Sequence, residues 1–316
     1  MAAADLLPVI LGPFIGSFLF VVVKRYPELA GIAAGRSRCP ACGSRIAARD
    51  LVPILGWLRL RGRCRVCAAP IGWHYPAVEL AAAAIAAWAA SAVSGWMLWV
   101  SCGLGWALLT LSLIDLRCYR LPDFLTLPIL LAGFGVTAVA RHAELPGHLL
   151  GAVLGFAVLV GIGWVYRRLR GREGLGLGDA KLLAAGGAWL SWEALPALVL
   201  TAAVLALAVT IGLRLWQREP LSAATRVPFG PYLALAIWLA WLYGPVALLP
   251  SPAMRGNANI SAVGLSWTGS ACGRLYSLRC GLGSGEDDSS TTDKAGGLYA
   301  PGRHPYGVVA LSRRLP

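Results

Sequence analysis

Eight apolar runs recur between residues 6 and 249, most of them close to twenty residues long and nearly free of charge. A helical run of that length matches a bilayer, since each residue advances about 1.5 Å and the hydrocarbon core is about 30 Å thick. The runs are Leu6–Val23 and residues 76–93, 96–114, 124–140, 146–166, 180–192, 194–215 and 229–249. The sixth is short and is expected either to re-enter the membrane or to lean on the seventh. Gly95, Pro146 and Pro196 punctuate the turns. Over the whole chain 57% of residues are hydrophobic and 14% charged, against about a quarter charged in a soluble domain. This weighs against a soluble α/β enzyme. It predicts an all-α polytopic membrane protein of about eight transmembrane segments, with a polar four-cysteine insert at 24–75.

The chain carries 28 Lys and Arg against 15 Asp and Glu, a formal net charge of +13. Such a balance suits either nucleic acid or anionic lipid, and the position of the charges decides. With residue 24 in the cytoplasm, loops 24–75, 115–123, 167–181 and 214–228 hold 10, 2, 5 and 3 Lys or Arg. The opposite loops hold only Arg141. This is the positive-inside pattern, with membrane lipids and not nucleic acid as the partner. Leu6–Val23 has no basic stretch before it and Lys24 and Arg25 after it, the reverse of a cleaved signal peptide. It reads as a retained helix with its N-terminus outside. Residues 251–316 hold eleven glycines, an "EDDSSTTDK" stretch and no spanning run. They read as a poorly ordered outer extension, in which Cys272 and Cys280 could pair. The expected division is therefore a first helix at 1–23, the insert at 24–75, a membrane core at 76–250 and the extension at 251–316.

The insert contains "CPACG" at 39–43 and "CRVC" at 64–67, two Cys-x2-Cys knuckles separated by 21 residues. Four thiolates at this spacing suit a tetrahedral structural zinc site, held by Cys39, Cys42, Cys64 and Cys67. Nearby Arg38, Arg63 and Arg65 favour thiolate. A reducing cytoplasm disfavours the alternative of two disulfides; free cysteines are the other alternative. Four protein ligands leave no open position, so the metal is structural and supplies stability that a short polar insert lacks. Cys102 and Cys118 read as ordinary buried thiols.

Residues 1–250 carry eleven acids, mostly in loops. Asp115, in "LIDLRCYRLPD", ends the third run, and Asp179, in "GLGDAKLL", opens the sixth. Both fall at the basic membrane boundary, where a carboxylate beside a long apolar run is costly and commonly functional. Two carboxylates brought together in a low-dielectric site cannot both ionise easily. Such a pair can activate a water and protonate a leaving amine. The plainer readings are a helix N-cap for Asp179 and an ion pair with Arg117 or Arg120 for Asp115. Gly178 and the glycines before it permit close backbone approach by a substrate strand. Glu79 is either a third functional acid or a buried hydrogen-bonding group, and Asp123 is expected to cap the fourth helix. Lys181 either biases the proton equilibrium of Asp179 or snorkels.

Taken in order, these fragments resemble the prepilin peptidases, the bacterial type IV leader peptidases. The resemblance covers most of residues 9–249, through "GPFIGSFLFVVVKRYP", "SRCPACGSRIAARDLVPILGWLRLRGRCRVCAAPIGWHYPAVEL", "LIDLRCYRLPDFLTLPILLAG", "GLGLGDAKLLAAGGAWL" and "VPFGPYLALAIW". It implies a bacterial inner-membrane aspartyl protease with Asp115 and Asp179 catalytic. The family removes the basic leader of prepilins and type II secretion pseudopilins after a glycine at the cytoplasmic face. Members with the four-cysteine insert commonly also methylate the new N-terminal amine with S-adenosylmethionine. Three departures stand out: Phe20 where the family usually has asparagine, Ala68 where a glycine is common after Cys67, and the tail after 250. Phe20 bears on packing or methylation, and Ala68 is expected to strain the second knuckle slightly.

The leader is basic and so is this face, so long-range steering cannot favour binding. Recognition is expected to be hydrophobic, with the prepilin helix packing laterally in the bilayer and Glu173, Asp50 or Glu79 meeting the leader locally. The competing classes are a proton-coupled transporter using intramembrane acids and a zinc-stabilised scaffold without catalysis. A transporter commonly shows inverted repeats, and none is evident in the sequence.

Overall fold

The computed structural model describes residues 3–28, 37–171, 176–217 and 228–244. Glu173 and the tail with Cys272 and Cys280 lie outside the described residues. Nine α-helices form among the described residues: α1 (Leu7–Arg25), α2 (Leu55–Arg59), α3 (His74–Ala92), α4 (Trp96–Cys118), α5 (Asp123–Ala140), α6 (Leu145–Arg170), α7 (Leu177–Leu190), α8 (Leu195–Gln217) and α9 (Gly230–Tyr243). Helices α1, α3, α4, α5, α6 and α8 are long and apolar enough to cross a membrane, with mean hydropathy from 1.2 to 2.4. Helices α7 and α9 have 14 residues each, about 21 Å of rise. The eight apolar runs are thus eight helices, two of them short. Proline in the first turn starts α1, α6 and α9, where its missing N–H leaves no bond unmade.

Glycine decides how these helices pack. Bilayer lipid is as apolar as leucine, so helices associate through close van der Waals contact at small residues. On α1, a Cβ added to Gly12 would stand 2.7 Å from Ala83 Cα, and one on Gly16 2.8 Å from Glu79 Cα. Further along, the Phe20 ring meets Tyr75 edge-on with centroids 4.6 Å apart. These three contacts share one antiparallel register of α1 on α3, and Phe20 serves packing. On α6, Gly151 and Gly155 lie against α7. A Cβ on Gly187 would come within 2.3 Å of the Gly151 carbonyl, and one on Gly155 within 2.8 Å of Leu183 O.

Helix α7 is the innermost element, with Leu182–Trp189 all buried. Its chief neighbours are α6 and α5, with α9 on another side. Of the two alternatives expected of this run, leaning on the seventh run, now α8, is therefore not its main packing. The glycines of α6 allow a closer approach than the bulkier face of α8. Most polar groups inside this bundle find partners, as a water-free setting demands; among the described residues Trp238 Nε1 is a buried exception. Trp106 Nε1 donates to Ala82 O at 2.9 Å, Trp189 Nε1 to Ile129 O at 2.8 Å and Trp241 Nε1 to Ser101 Oγ at 2.8 Å. His148, on α6, places Nδ1 2.9 Å from Ala188 O and 3.3 Å from Thr137 Oγ1. Ala188 is in the last turn of α7, where carbonyls lack helical donors. Cys102 is buried as expected, whereas Cys118, at the end of α4, is only half-buried.

Candidate active site and metal centre

Asp115 lies one turn from the end of α4, where Tyr119 turns the chain in the left-handed region at φ 51°. Its side chain is buried, with 5% of the residue exposed. Oδ2 accepts the backbone N–H of Gly230 at 3.1 Å. Gly230 opens α9, and the first amides of a helix have no internal acceptor and favour a negative charge. A Cβ at Gly230 would stand 2.7 Å from Asp115 Oδ2, so only glycine lets the amide come this close. Asp115 does not pair with Arg117, which instead donates to Val23 O at 2.9 Å and Lys24 O at 3.2 Å at the end of α1.

Asp179 lies in the first turn of α7 and is half-buried. It is not the N-cap: that position is Gly176, which accepts the Asp179 amide at 3.1 Å. The Asp179 carboxylate is within electrostatic reach of Asp115. Leu121, in the link between α4 and α5, holds the two helix starts in place. Its side chain lies 2.8 Å from where a Cβ on Gly178 would be and 3.3 Å from the same point on Gly230. The link after α4 and the starts of α7 and α9 therefore meet around one leucine. Gly178 makes room for that leucine. The sequence reading missed Leu121 and the Gly230 amide, although the Gly-Pro pair at 230–231 was a helix-start signal.

Asp123 does not cap α5. Pro122 is the capping position, without a side-chain cap bond, and Asp123 accepts Lys181 Nζ at 2.6 Å. Lys181 thus ties the start of α7 to the start of α5. Glu79 is the buried hydrogen-bonding group of the two readings: Oε2 accepts the Ile54 N–H at 2.7 Å. Ile54 has φ 63°, a left-handed conformation that strains a β-branched residue.

The two knuckles have the same backbone design. Gly43 N–H donates to Cys39 O at 2.9 Å and Ala68 N–H to Cys64 O at 3.0 Å. Gly43 has φ 68° and Ala68 φ 55°, so Ala68 carries the strain expected of it. The sulfurs of Cys39, Cys42, Cys64 and Cys67 lie within 4.8 Å of one another, with Cys39 and Cys67 at 3.8 Å. Tetrahedral zinc with Zn–S of about 2.3 Å requires S···S of about 3.8 Å, so the cluster fits a metal ion. Backbone N–H groups of Cys67 and Val66 bring the Cys64 thiol down to about 6. The Ala69 N–H also lowers Cys67, but its bond with Cys42, desolvation and the other sulfurs outweigh it and push that thiol up to about 12. Four thiolates do not coexist there without a cation, and binding one releases the remaining protons. Arg65, inside the second knuckle, grips Asp50 through Nε at 2.8 Å and a second nitrogen at 2.5 Å. That hydrogen-bonded guanidinium holds the Asp50 carboxyl below its usual range.

Two family models match the chain: the bacterial peptidase A24 N-terminal domain over residues 10–93 and the type IV leader peptidase family over residues 102–211. A prepilin leader peptidase/N-methyltransferase of Aeromonas hydrophila is 40% identical over 255 residues, covering 73% of this chain and 87% of the relative. The protein of that name in Burkholderia pseudomallei is 44% identical over 253 residues, 72% and 81% of the two chains. The one in Pseudomonas aeruginosa is 37% identical over 261 residues, 75% and 89%. No solved structure matches. With relatives this similar over most of both lengths, and both family models in chain order, the chain belongs to the type IV leader peptidase family.

Proposed function

We propose that this protein is a membrane-embedded aspartyl endopeptidase that removes the basic leader of type IV prepilins and type II secretion pseudopilins. In this reading Asp115 and Asp179 act as one catalytic pair. The observation that carries it is the meeting of the α4, α7 and α9 ends, with Asp115 on the Gly230 amide and Asp179 next to Gly178, against which Leu121 packs. One carboxyl of the pair holds a proton and the other is charged. The charged one takes a proton from water, which attacks the scissile carbonyl; the protonated one delivers its proton to the leaving amine. Lys181 and Asp123 keep the start of α7 in register, and Gly178 admits Leu121 against that start.

The insert holds a structural Zn2+ through its four cysteines, and Glu79 fixes the insert to α3. The relatives' second named activity, N-methyl transfer, is assigned here as well, with S-adenosylmethionine supplying the methyl group. The positive-inside count supports a multi-pass protein of the bacterial inner membrane with the insert and both aspartates cytoplasmic and the N-terminus outside. The division into first helix, insert, peptidase core and C-terminal extension accompanies this reading. The test is mass analysis of a model prepilin incubated with the protein in liposomes and labelled S-adenosylmethionine. A mature pilin lacking its leader and carrying one added methyl is expected. Intact prepilin would remove the peptidase reading, and a cleaved but unmethylated product would remove the methyltransferase assignment alone.

A further inference from the structure

We infer that residues 51–58 of the insert are an interfacial segment embedded in the phospholipid bilayer, with Leu51, Val52, Leu55 and Leu58 against acyl chains. The first observation is depth. Glu79 holds the Ile54 amide at 2.7 Å, and Glu79 packs at the level of Gly16 of α1. Lys24 follows Gly16 by eight residues on the same helix, about 12 Å further toward the headgroups. The Gly12, Gly16 and Phe20 contacts share one register, so this offset does not rest on a single pair. The Glu79 side chain reaches about 5 Å from its Cα and the bond adds 2.7 Å, so the Ile54 amide lies at least about 4 Å inward of that terminal lysine, at the acyl boundary. It is not out in the aqueous phase.

The second observation is what the segment presents there. Leu55 and Leu58 are 64% and 56% exposed, and Leu51 and Val52 45% and 38%. Leu55 and Leu58 share one face of α2. Pro53, Gly56 and the Trp57 edge turn the other way, into the insert: a Cβ on Gly56 would strike Asp50 O, and Trp57 Nε1 donates to Ile71 O at 3.1 Å. Arg49, Arg59 and Arg61 flank this apolar face and are exposed, while the one acid of the segment's approach, Asp50, is neutralised by Arg65. A leucine face rimmed by arginines at headgroup level matches an anionic phospholipid surface. Phe14 and Phe18 on α1 and Leu80 on α3 are also exposed. The buried Glu79 is then the anchor that sets the depth. This inference extends beyond the peptidase assignment and does not depend on it.

The test places the photoreactive residue p-benzoylphenylalanine singly at Val52, Leu55, Leu58 and Val66 of the full chain in phosphatidylglycerol–phosphatidylethanolamine vesicles containing prepilin. Val66 is the control, since it is 69% exposed but lies on the metal knuckle. Lipid adducts at 52, 55 and 58 with none at 66 are expected. Equal lipid adducts at 66, prepilin adducts in place of lipid, or no lipid adducts at the first three would overturn the inference. The unsubstituted protein supplies an independent reading. Trypsin should cut after Arg45 in both bilayer discs and short-chain detergent, but after Arg59 only in detergent. Equal cutting at Arg59 in both media would overturn the inference as well.

Discussion

Gly187→Ala tests the link between helix packing and the candidate site most sharply. The added Cβ would stand 2.3 Å from both the carbon and the oxygen of the Gly151 carbonyl. Ordinary contact of this kind begins near 3.4 Å, so α6 and α7 must part by about 1 Å, the difference between those two distances. The obstacle is backbone, which cannot rotate aside as a side chain can. Overpacking of a tight contact costs about 1–3 kcal/mol, and the upper end applies where neither partner can relax. Helix α7 carries Asp179 eight residues away in its first turn. A misplacement of about 1 Å in a catalytic group costs on the order of 100-fold in rate. The assay is leader removal in membranes at matched expression, with thermal unfolding measured alongside. Gly161→Ala, on the same α6, is the control, since its Cβ would meet no atom within 4 Å. Wild-type cleavage and melting in Gly187→Ala would refute the reasoning that backbone contact of α6 and α7 positions Asp179.

Other substitutions probe the insert and the buried polar groups. Ala68→Gly removes a left-handed strain of about 1 kcal/mol, so metal affinity should rise about fivefold in a chelator competition; an unchanged affinity would mean that φ 55° is not strained here. His148→Leu leaves Ala188 O without its imidazole donor, at about 1–3 kcal/mol. Melting should fall accordingly, and His148→Asn, whose amide can occupy the Nδ1 position, should recover part of the loss. Glu79→Gln keeps an acceptor for the Ile54 amide and should melt close to wild type. Glu79→Leu should lose about 1–3 kcal/mol, and equal melting of the two variants would show that the bond is idle.

The features readable from the sequence were the local ones. Apolar runs of spanning length became helices, because a chain in lipid must satisfy its own amides within each segment. The two Cys-x2-Cys knuckles came together because each is a short self-contained turn whose spacing alone fixes its sulfurs. Asp115 and Asp179 stood out because a carboxylate beside a long apolar run is costly. What escaped the reading was set by contacts distant in sequence. Asp123 was expected to cap its own helix, but Lys181, 58 residues on, takes its carboxylate. Leaning on the seventh run was one of two alternatives for the sixth, but Gly151 and Gly155 of α6 offer the closer approach. Leu121 looks like any leucine until the glycines at 178 and 230 close on it. The role of Glu79 depended on an isoleucine amide 25 residues earlier, for which no motif gives warning.

Whether Asp115 and Asp179 work as one unit is decided by single-turnover cleavage of a model prepilin by Asp115→Asn, Asp179→Asn and the double variant. Groups that act together in one step are strongly non-additive, so losing either one loses nearly all that both provide. Each single variant, inserted and expressed normally, is expected to be as inactive as the double. Cleavage at the wild-type rate in either single variant, or losses that multiply independently in the double, would contradict it.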